Sequence, residues 1–371
     1  MAPGGAAGAA GGAAGAAGGA ADAAGGAAGA AGLGDGAGPS LSSGLGGGAS
    51  GAASYFGMLG DQPPIGRLFS LRIPTPPPIP NPGRPPLPPP VPRVGNARAV
   101  AILPSVRGFK ISENQSPQPQ DRIYYSFNYY DNLNQQVNQR VNSEINHLKA
   151  YRNILGLEKT FLDGRASFGL RLPIDNLSTS SPYPGLGGTT TSAGDLAAIL
   201  KYALILDRDA GRVLSVGLVT SMPTGPRSFA GARGIRSPHN AALQPFLGFI
   251  RSYGDFYIHG FSAIDVPLNP NDVTVLYNDI GMGYYVYRSN DLQQFITAIA
   301  PTLELHVNTP LNHRDPYNLK DLAGSYDQVN MTFGTNFQIR KRGLLALAVV
   351  EPLTGPRPFR LEAIVQFNYR F

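Results

Sequence analysis

The 371-residue sequence contains no cysteine and no tryptophan. The first absence removes disulfide frameworks, thiolate nucleophiles and cysteine-based metal centres. The second means that any aromatic girdle at a membrane boundary must be built from the 17 Tyr and 17 Phe residues. Long hydrophobic runs are missing too. The longest, LLALAVV from Leu344 to Val350, falls far short of the roughly 18 apolar residues that a spanning helix needs. A helical membrane protein is thereby excluded. A β-barrel is not, because alternating strands leave no such run. There is no GxSxG nucleophile elbow and no HExxH motif. Of the five histidines, His147, His239 and His313 fall in expected loops, and His259 and His306 in strands far apart in sequence. The chain is therefore not expected to be an enzyme, and no cofactor or metal is expected. The Asp/Asn groups in NPND (269–272) and NHRDPYN (312–318) fit ordinary turn chemistry.

What is present is unevenly spread. Residues 1–53 are almost wholly Ala, Gly and Ser. Glycine costs a helix about 1 kcal/mol per residue, and no apolar face exists to pack, so this tract is expected to be disordered. It has neither the basic start nor the bulky apolar stretch of a secretory signal, although an exported barrel needs one. Residues 54–96 are expected to be a Pro-rich, basic linker. Twelve prolines between positions 74 and 92 make a polyproline spacer, while 54–73 carries a few apolar residues able to dock. Residues 61–110 hold seven basic side chains and one acidic, against 23 and 21 in the remaining 261 residues. The formal charge of +6 thus belongs mostly to a linker, and no folded basic face with interleaved aromatics points to nucleic acid.

From Arg122 the texture changes to strict alternation. In RIYYSFNYYDN, Ile123, Tyr125, Phe127 and Tyr129 share one face, and Arg122, Tyr124, Ser126, Asn128 and Tyr130 the other. Further strands are expected at about 148–162, 165–173, 193–206, 212–221, 242–252, 256–267, 273–288, 292–308, 327–340, 344–352 and 359–371. Tight turns such as Asp163-Gly164-Arg165 and Tyr253-Gly254-Asp255 alternate with longer, polar connections at 131–147, 174–192, 222–241 and 309–326. The stretch 133–149 looks partly helical, with Val137, Val141, Ile145 and Leu148 at helical spacing. Short turns on one side and long loops on the other is the layout of an outer-membrane barrel. The expected fold is all-β: a transmembrane up-and-down antiparallel barrel of about 12 strands over 122–371.

The last strand, RLEAIVQFNYRF, alternates apolar Leu361, Ala363, Val365, Phe367, Tyr369 and Phe371 with a mostly polar set. A terminal strand ending in Phe resembles the assembly signal of bacterial outer-membrane barrels. That implies that Phe367, Tyr369 and Phe371 face lipid and engage the barrel-assembly machinery. The hairpin SAGDLAAILKYALILDRDAGRVLSVGLVTSMPTG (192–225), together with DRIYYSFNYYDN, GLEKTFLDGRASFGLRLP and EAIVQFNYRF, resembles the outer-membrane barrel family named for the phenol-degradation (MetA) pathway. The resemblance covers about residues 107–371. It implies an outer-membrane barrel placed near transporters of hydrophobic and aromatic small molecules.

The polar strand faces give candidate lumen-lining residues: Arg152, Glu158, Arg171, Lys201, Asp279, Glu304, His306, Arg360, Glu362 and Gln366, with Arg165, Asp195 and Arg370 beside them. They fit either a pore that filters by charge or a lumen filled by its own ion pairs, since about twelve strands give an intermediate bore. Two functions stay open: a channel for small solutes, and a structural anchor with a filled lumen that holds the Pro-rich tether in the periplasm. Residues 97–121 contain Phe109, Ile111, Pro117 and Pro119 and fit a periplasmic-side plug or a plain lead-in.

Overall fold

The computed structural model describes residues 56–61, 66–71 and 98–371, apart from 108, 141, 144, 181–186, 233–238, 292, 316, 318–325 and 341. The Ala/Gly-rich tract 1–53 and the proline run 74–92 lie outside the described residues. A small ribbon comes first: β1 (Gly66–Leu71) pairs antiparallel with β2 (Arg98–Pro104), Gly66 opposite Pro104 and Leu71 opposite Arg98. The remaining strands form one sheet. They are β3 (Arg122–Asp131), β4 (Asn146–Phe161), β5 (Ala166–Ser180), β6 (Gly188–Ala193), β7 (Leu196–Asp207), β8 (Arg212–Met222), β9 (Ala242–Tyr253), β10 (Phe256–Pro267), β11 (Val275–Tyr284), β12 (Tyr287–Arg288), β13 (Ile296–Pro310), β14 (Gln328–Ile339), β15 (Gly343–Pro352) and β16 (Leu361–Arg370).

Successive long strands pair antiparallel, and the sheet closes where β16 meets β3, from Leu361↔Asp131 to Arg370↔Arg122. With β6 and β12 as side branches, the closed path has twelve strands, β11 pairing directly with β13. Closure leaves no open edge, which a sheet in lipid requires.

Alternation decides which side chains meet lipid. In β16, Leu361, Val365, Phe367 and Tyr369 are exposed, and Glu362, Ile364, Gln366 and Asn368 are buried inside. In β3, Ile123 and Tyr125 point out and Arg122, Tyr124, Ser126 and Asn128 point in. Around the barrel the same outward face carries Leu155, Leu157, Leu200, Leu247, Ile280, Met282, Phe333 and Leu347, all exposed. Exposed Phe161, Tyr253, Tyr284, Phe295, Tyr369 and Phe371 cluster at one end as an aromatic girdle without Trp. An apolar belt on a closed, even-stranded barrel is a lipid-facing surface, and it places the chain in an outer membrane.

The two ends differ. The turns at 162–165, 208–211, 254–255 and 340–342 lie at one end together with Arg122 and Phe371, where both ends of the barrel sequence meet. The connections 132–145, 223–241, 268–274, 311–327 and 353–360 lie at the other. Helix α1 (Gln135–Arg140) sits in the first of these. Two expectations change. The region 174–192 is not a plain loop: β5 runs on to Ser180 and pairs with β6, helped by β-branched Thr189, Thr190 and Thr191. The expected strand 273–288 is split: β11 ends at Tyr284 and β12 resumes at Tyr287, with inward Tyr285 between them stacked on Phe56 at 5.3 Å between ring centroids.

Candidate functional site

The lumen is occupied. Two stretches outside the barrel sheet, 56–61 and 105–121, lie inside it with almost every described residue buried. They are joined by one backbone hydrogen bond, Met58 N–H to Gln115 O at 2.9 Å. Side chains from the wall hold each.

The first stretch, FGMLGD, is clamped by β13, β14 and β16. Glu304 accepts the Leu59 N–H (2.9 Å to Oε1) and the Gly60 N–H (2.9 Å to Oε2). Gln366 donates to Leu59 O at 2.7 Å, and the Thr332 hydroxyl to Gly60 O at 3.0 Å. His259 and His306 flank Glu304, each with Nε2 3.3 Å from a carboxylate oxygen. Gly60 has φ +82°, and a Cβ there would lie 2.7 Å from Glu113 Cα, so the two stretches approach closely only because this position is glycine.

Where the stretches meet the wall, opposite charges converge. The Lys110 ammonium sits 2.6 Å from Asp61 Oδ1 and 2.6 Å from Asp279 Oδ1, with all three side chains fully buried. Asn308 and Asn330 donate to the other Asp61 oxygen, at 3.0 and 2.7 Å. His306 Nδ1 lies 2.9 Å from Asp279. Ligand atoms of Asp61, Asp279 and His306 lie within 4.8 Å of one another, as a metal site would need. Lys110 already brings the positive charge there, so the chain's own ion pair does what a cation would do.

A second set of partners holds 105–121. Arg171 pairs with Glu113 and lies over the Phe109 ring at 4.3 Å. Glu158 accepts from Arg122 (2.9 Å), Lys201 (3.0 Å) and Ser167 (2.7 Å), and Lys201 also donates to Ser116 O at 2.6 Å. Gln244 grips the backbone of Ile111 and Phe109. Arg107 pairs with Asp265 (2.7 Å) and Asp272 (3.0 Å). At the opposite end Asp121 accepts the Thr160 N–H and hydroxyl, at 2.7 and 2.8 Å. Partial burial would raise the Asp121 pKa, but these donors and Lys159 outweigh it and hold the carboxyl below the ordinary 3.8.

The inward positions differ around the wall. On β3–β5 and β13, β14 and β16 they are largely charged or amide-bearing. On β7–β11 an apolar lane forms from Ala197, Ile199, Val219, Phe246, Phe261, Ala263 and Val275, and Met58, Phe109 and Ile111 rest against it.

Arg152, Glu158, Arg171, Lys201, Asp279, Glu304, His306, Glu362 and Gln366 are all buried on the inward face. Arg152 pairs with Asp175 at 2.8 Å, and Glu362 accepts from Asn128 at 2.7 Å. Arg360 is a correction. It precedes β16 at the long-connection end, its side chain is 69% exposed, and it pairs with Asp131. Strand β16 begins one residue later, at Leu361, so alternation does not extend to Arg360. Arg165 is likewise exposed in its turn, and Asp195 pairs with His239 at 2.8 Å between two connections. Sequence reasoning placed 56–61 in the linker 54–96, with 54–73 able to dock but at no stated place, and missed Lys110 as the central cation. The available signal was an island of Phe, Met, Leu and Asp between an Ala/Gly tract and a proline run.

No family model matches the chain, and no curated protein matches it. The resemblance carried by 192–225 therefore stays at the level of those motifs. Solved structures with a similar barrel include an outer-membrane channel from Pseudomonas putida F1 (15% identity, TM-score 0.46, 68% of this chain and 96% of that one). Others are the KdgM porin (10%, 0.38, 67% and 99%) and the NanC porin (11%, 0.39, 67% and 98%).

Proposed function

We propose that the chain is an outer-membrane channel for small molecules, held closed by residues 56–61 and 105–121 acting as a plug. One observation carries this reading. The two stretches are fixed to the wall by side-chain ion pairs and hydrogen bonds and take no part in the barrel's strand ladder. They can leave while every strand pairing stays intact. The wall behind them is charged on one side and apolar on the other. An emptied lumen therefore suits molecules with an aromatic or aliphatic body and a polar group, the class implied by the family resemblance. The test is single-channel conductance in planar bilayers. The full chain should be mostly closed, and a chain lacking 97–117 should conduct and pass an aromatic carboxylate such as benzoate.

A second reading, a structural anchor with a permanently filled lumen, is favoured by the completeness of the Lys110–Asp61–Asp279 arrangement. It expects silent full-length barrels under all conditions. No catalytic role is proposed, because the strand histidines His259 and His306 are engaged with Glu304. The lipid-facing Phe367, Tyr369 and Phe371 are proposed to engage the assembly machinery; Phe367 and Tyr369 line an outer groove with Phe295 and Ile339.

A further inference from the structure

The two plug stretches run in opposite directions, and their contacts fix which end of the barrel each residue reaches. Phe56 packs on Tyr257 and Tyr285, with centroids 6.1 and 5.3 Å away. Tyr257 is the second residue of β10, after the turn at 254–255, and Tyr285 directly follows β11. Phe56 is therefore at the short-turn end. Five residues later Asp61 is held by Asn308 and Asn330, each two residues from the long-connection end of its strand. Those five residues, extended, reach at most about 18 Å, enough to cover much of the lumen.

The return path is equally defined. Arg107 pairs with Asp272, in the connection 268–274 at the long-connection end. Asp121 is tied to Thr160 and, through its carbonyl, to the Phe371 N–H, both at the short-turn end. The chain thus rises from Phe56 to Asp61 and descends from Arg107 to Asp121. Asp61 and Arg107 both lie at the long-connection end. The ribbon agrees: Pro104, at the foot of β2, adjoins buried Val106, and α1 of the connection 132–145 lies against β2.

In outer-membrane barrels the short turns face the periplasm and the long loops face outside. On that orientation we propose a further function for this barrel: it holds its own chain across the lumen and displays the ribbon of β1 (66–71) and β2 (98–104) on the cell surface. From the periplasmic end at Phe56 the polypeptide reaches the outer end at Asp61, and from the outer end at Arg107 it descends to Asp121. Between Gln62 and Pro104 the sequence has five arginines and no carboxylate.

The absence of native cysteine makes the test direct. Single substitutions Ser70→Cys in β1, Tyr317→Cys and Asn290→Cys are made in the full chain and exposed, in intact cells, to a membrane-impermeant maleimide. Total reactivity after denaturation is the denominator. Tyr317 is 94% exposed in a long connection, and Asn290 is exposed at the short-turn end, so the pair reports orientation. The expected result is labelling of Ser70→Cys to the same extent as Tyr317→Cys, with Asn290→Cys labelled only after the outer membrane is permeabilised. Labelling of Tyr317→Cys with protection of Ser70→Cys overturns the surface display and leaves the channel reading intact. Labelling of Asn290→Cys with protection of Tyr317→Cys overturns the orientation and with it the surface display; the channel reading stands or falls on conductance alone.

Discussion

Replacing Lys110 by Met removes the one ammonium that bridges the plug to itself and to the wall. The methionine keeps much of the length and bulk, so packing changes little. Two fully buried carboxylates, Asp61 and Asp279, each lose a partner at 2.6 Å. Removing one member of a buried ion pair costs about 3–5 kcal/mol because the other charge is left uncompensated. Here the lower end applies. Asp61 keeps the Asn308 and Asn330 donors, and Asp279 keeps His306. About 3 kcal/mol is roughly a hundredfold shift of the docked equilibrium. The reading is open probability in planar bilayers at fixed voltage, with heat-dependent gel mobility confirming an assembled barrel. Lys110→Met should raise open probability by about two orders of magnitude from a mostly closed parent. Adding Asp61→Asn and Asp279→Asn removes the orphaned charges and should restore most of the closure. An assembled Lys110→Met barrel as closed as its parent would refute the idea that this ion pair holds a movable plug. A triple variant as open as the single one would refute the electrostatic cause.

Gly60→Ala tests the same docking without touching charge. It sets a Cβ against Glu113 Cα at a φ of +82°, a strain of about 1–2 kcal/mol, so open probability should rise roughly tenfold with no change in the barrel's heat-dependent gel mobility. Phe371→Asp should lower membrane-inserted yield at normal synthesis. Phe367→Asp, further along the lipid face, should be at least as damaging, and unchanged yield of both would remove the assembly role. The Asp121 anchor sets a pH dependence. Its folded pKa is depressed, so its contribution is present above the unfolded value and lost as pH falls through the folded one. The melting-temperature gap between parent and Asp121→Asn should therefore hold from about pH 8 to pH 5 and narrow only below about pH 4.

The barrel was largely legible because its signal is local. Period-two alternation, with apolar residues out and polar residues in, needs only neighbours in sequence, and it locates all twelve wall strands, though not the run of β5 to Ser180 or the break after Tyr284. Arg360 fell outside because alternation cannot say where a strand begins. Hairpin β5–β6 was missed because its Thr-rich, polar composition reads as loop. The plug was harder for a different reason. Lys110 meets Asp61 and Asp279 across 49 and 169 positions, and nothing near Lys110 in sequence announces either partner. Residues 56–61 carry no periodicity at all; six residues with two glycines hold a shape only because Glu304, Gln366 and Thr332 receive their backbone.

That manner of holding bears on whether the lumen can empty. A plug fixed by apolar packing alone would expose grease to water on leaving, and a plug fixed by strand pairing would break the ladder. This one does neither on its charged side. Lys110, Asp61, Glu113 and Arg107 all exchange a protein partner for water when they leave, and the desolvation they suffered on docking is returned to them. The wall carboxylates Asp279, Asp265 and Glu304 and the wall cation Arg171 are rehydrated in the same step. Only the lane of Phe246, Phe261, Val219 and Ile199 is left wanting an apolar occupant where Met58, Phe109 and Ile111 had been. On the proposed function, a solute with an apolar body supplies one. Undocking and solute entry therefore favour each other thermodynamically, since a molecule that binds only the emptied lane stabilises the open barrel in proportion to its concentration.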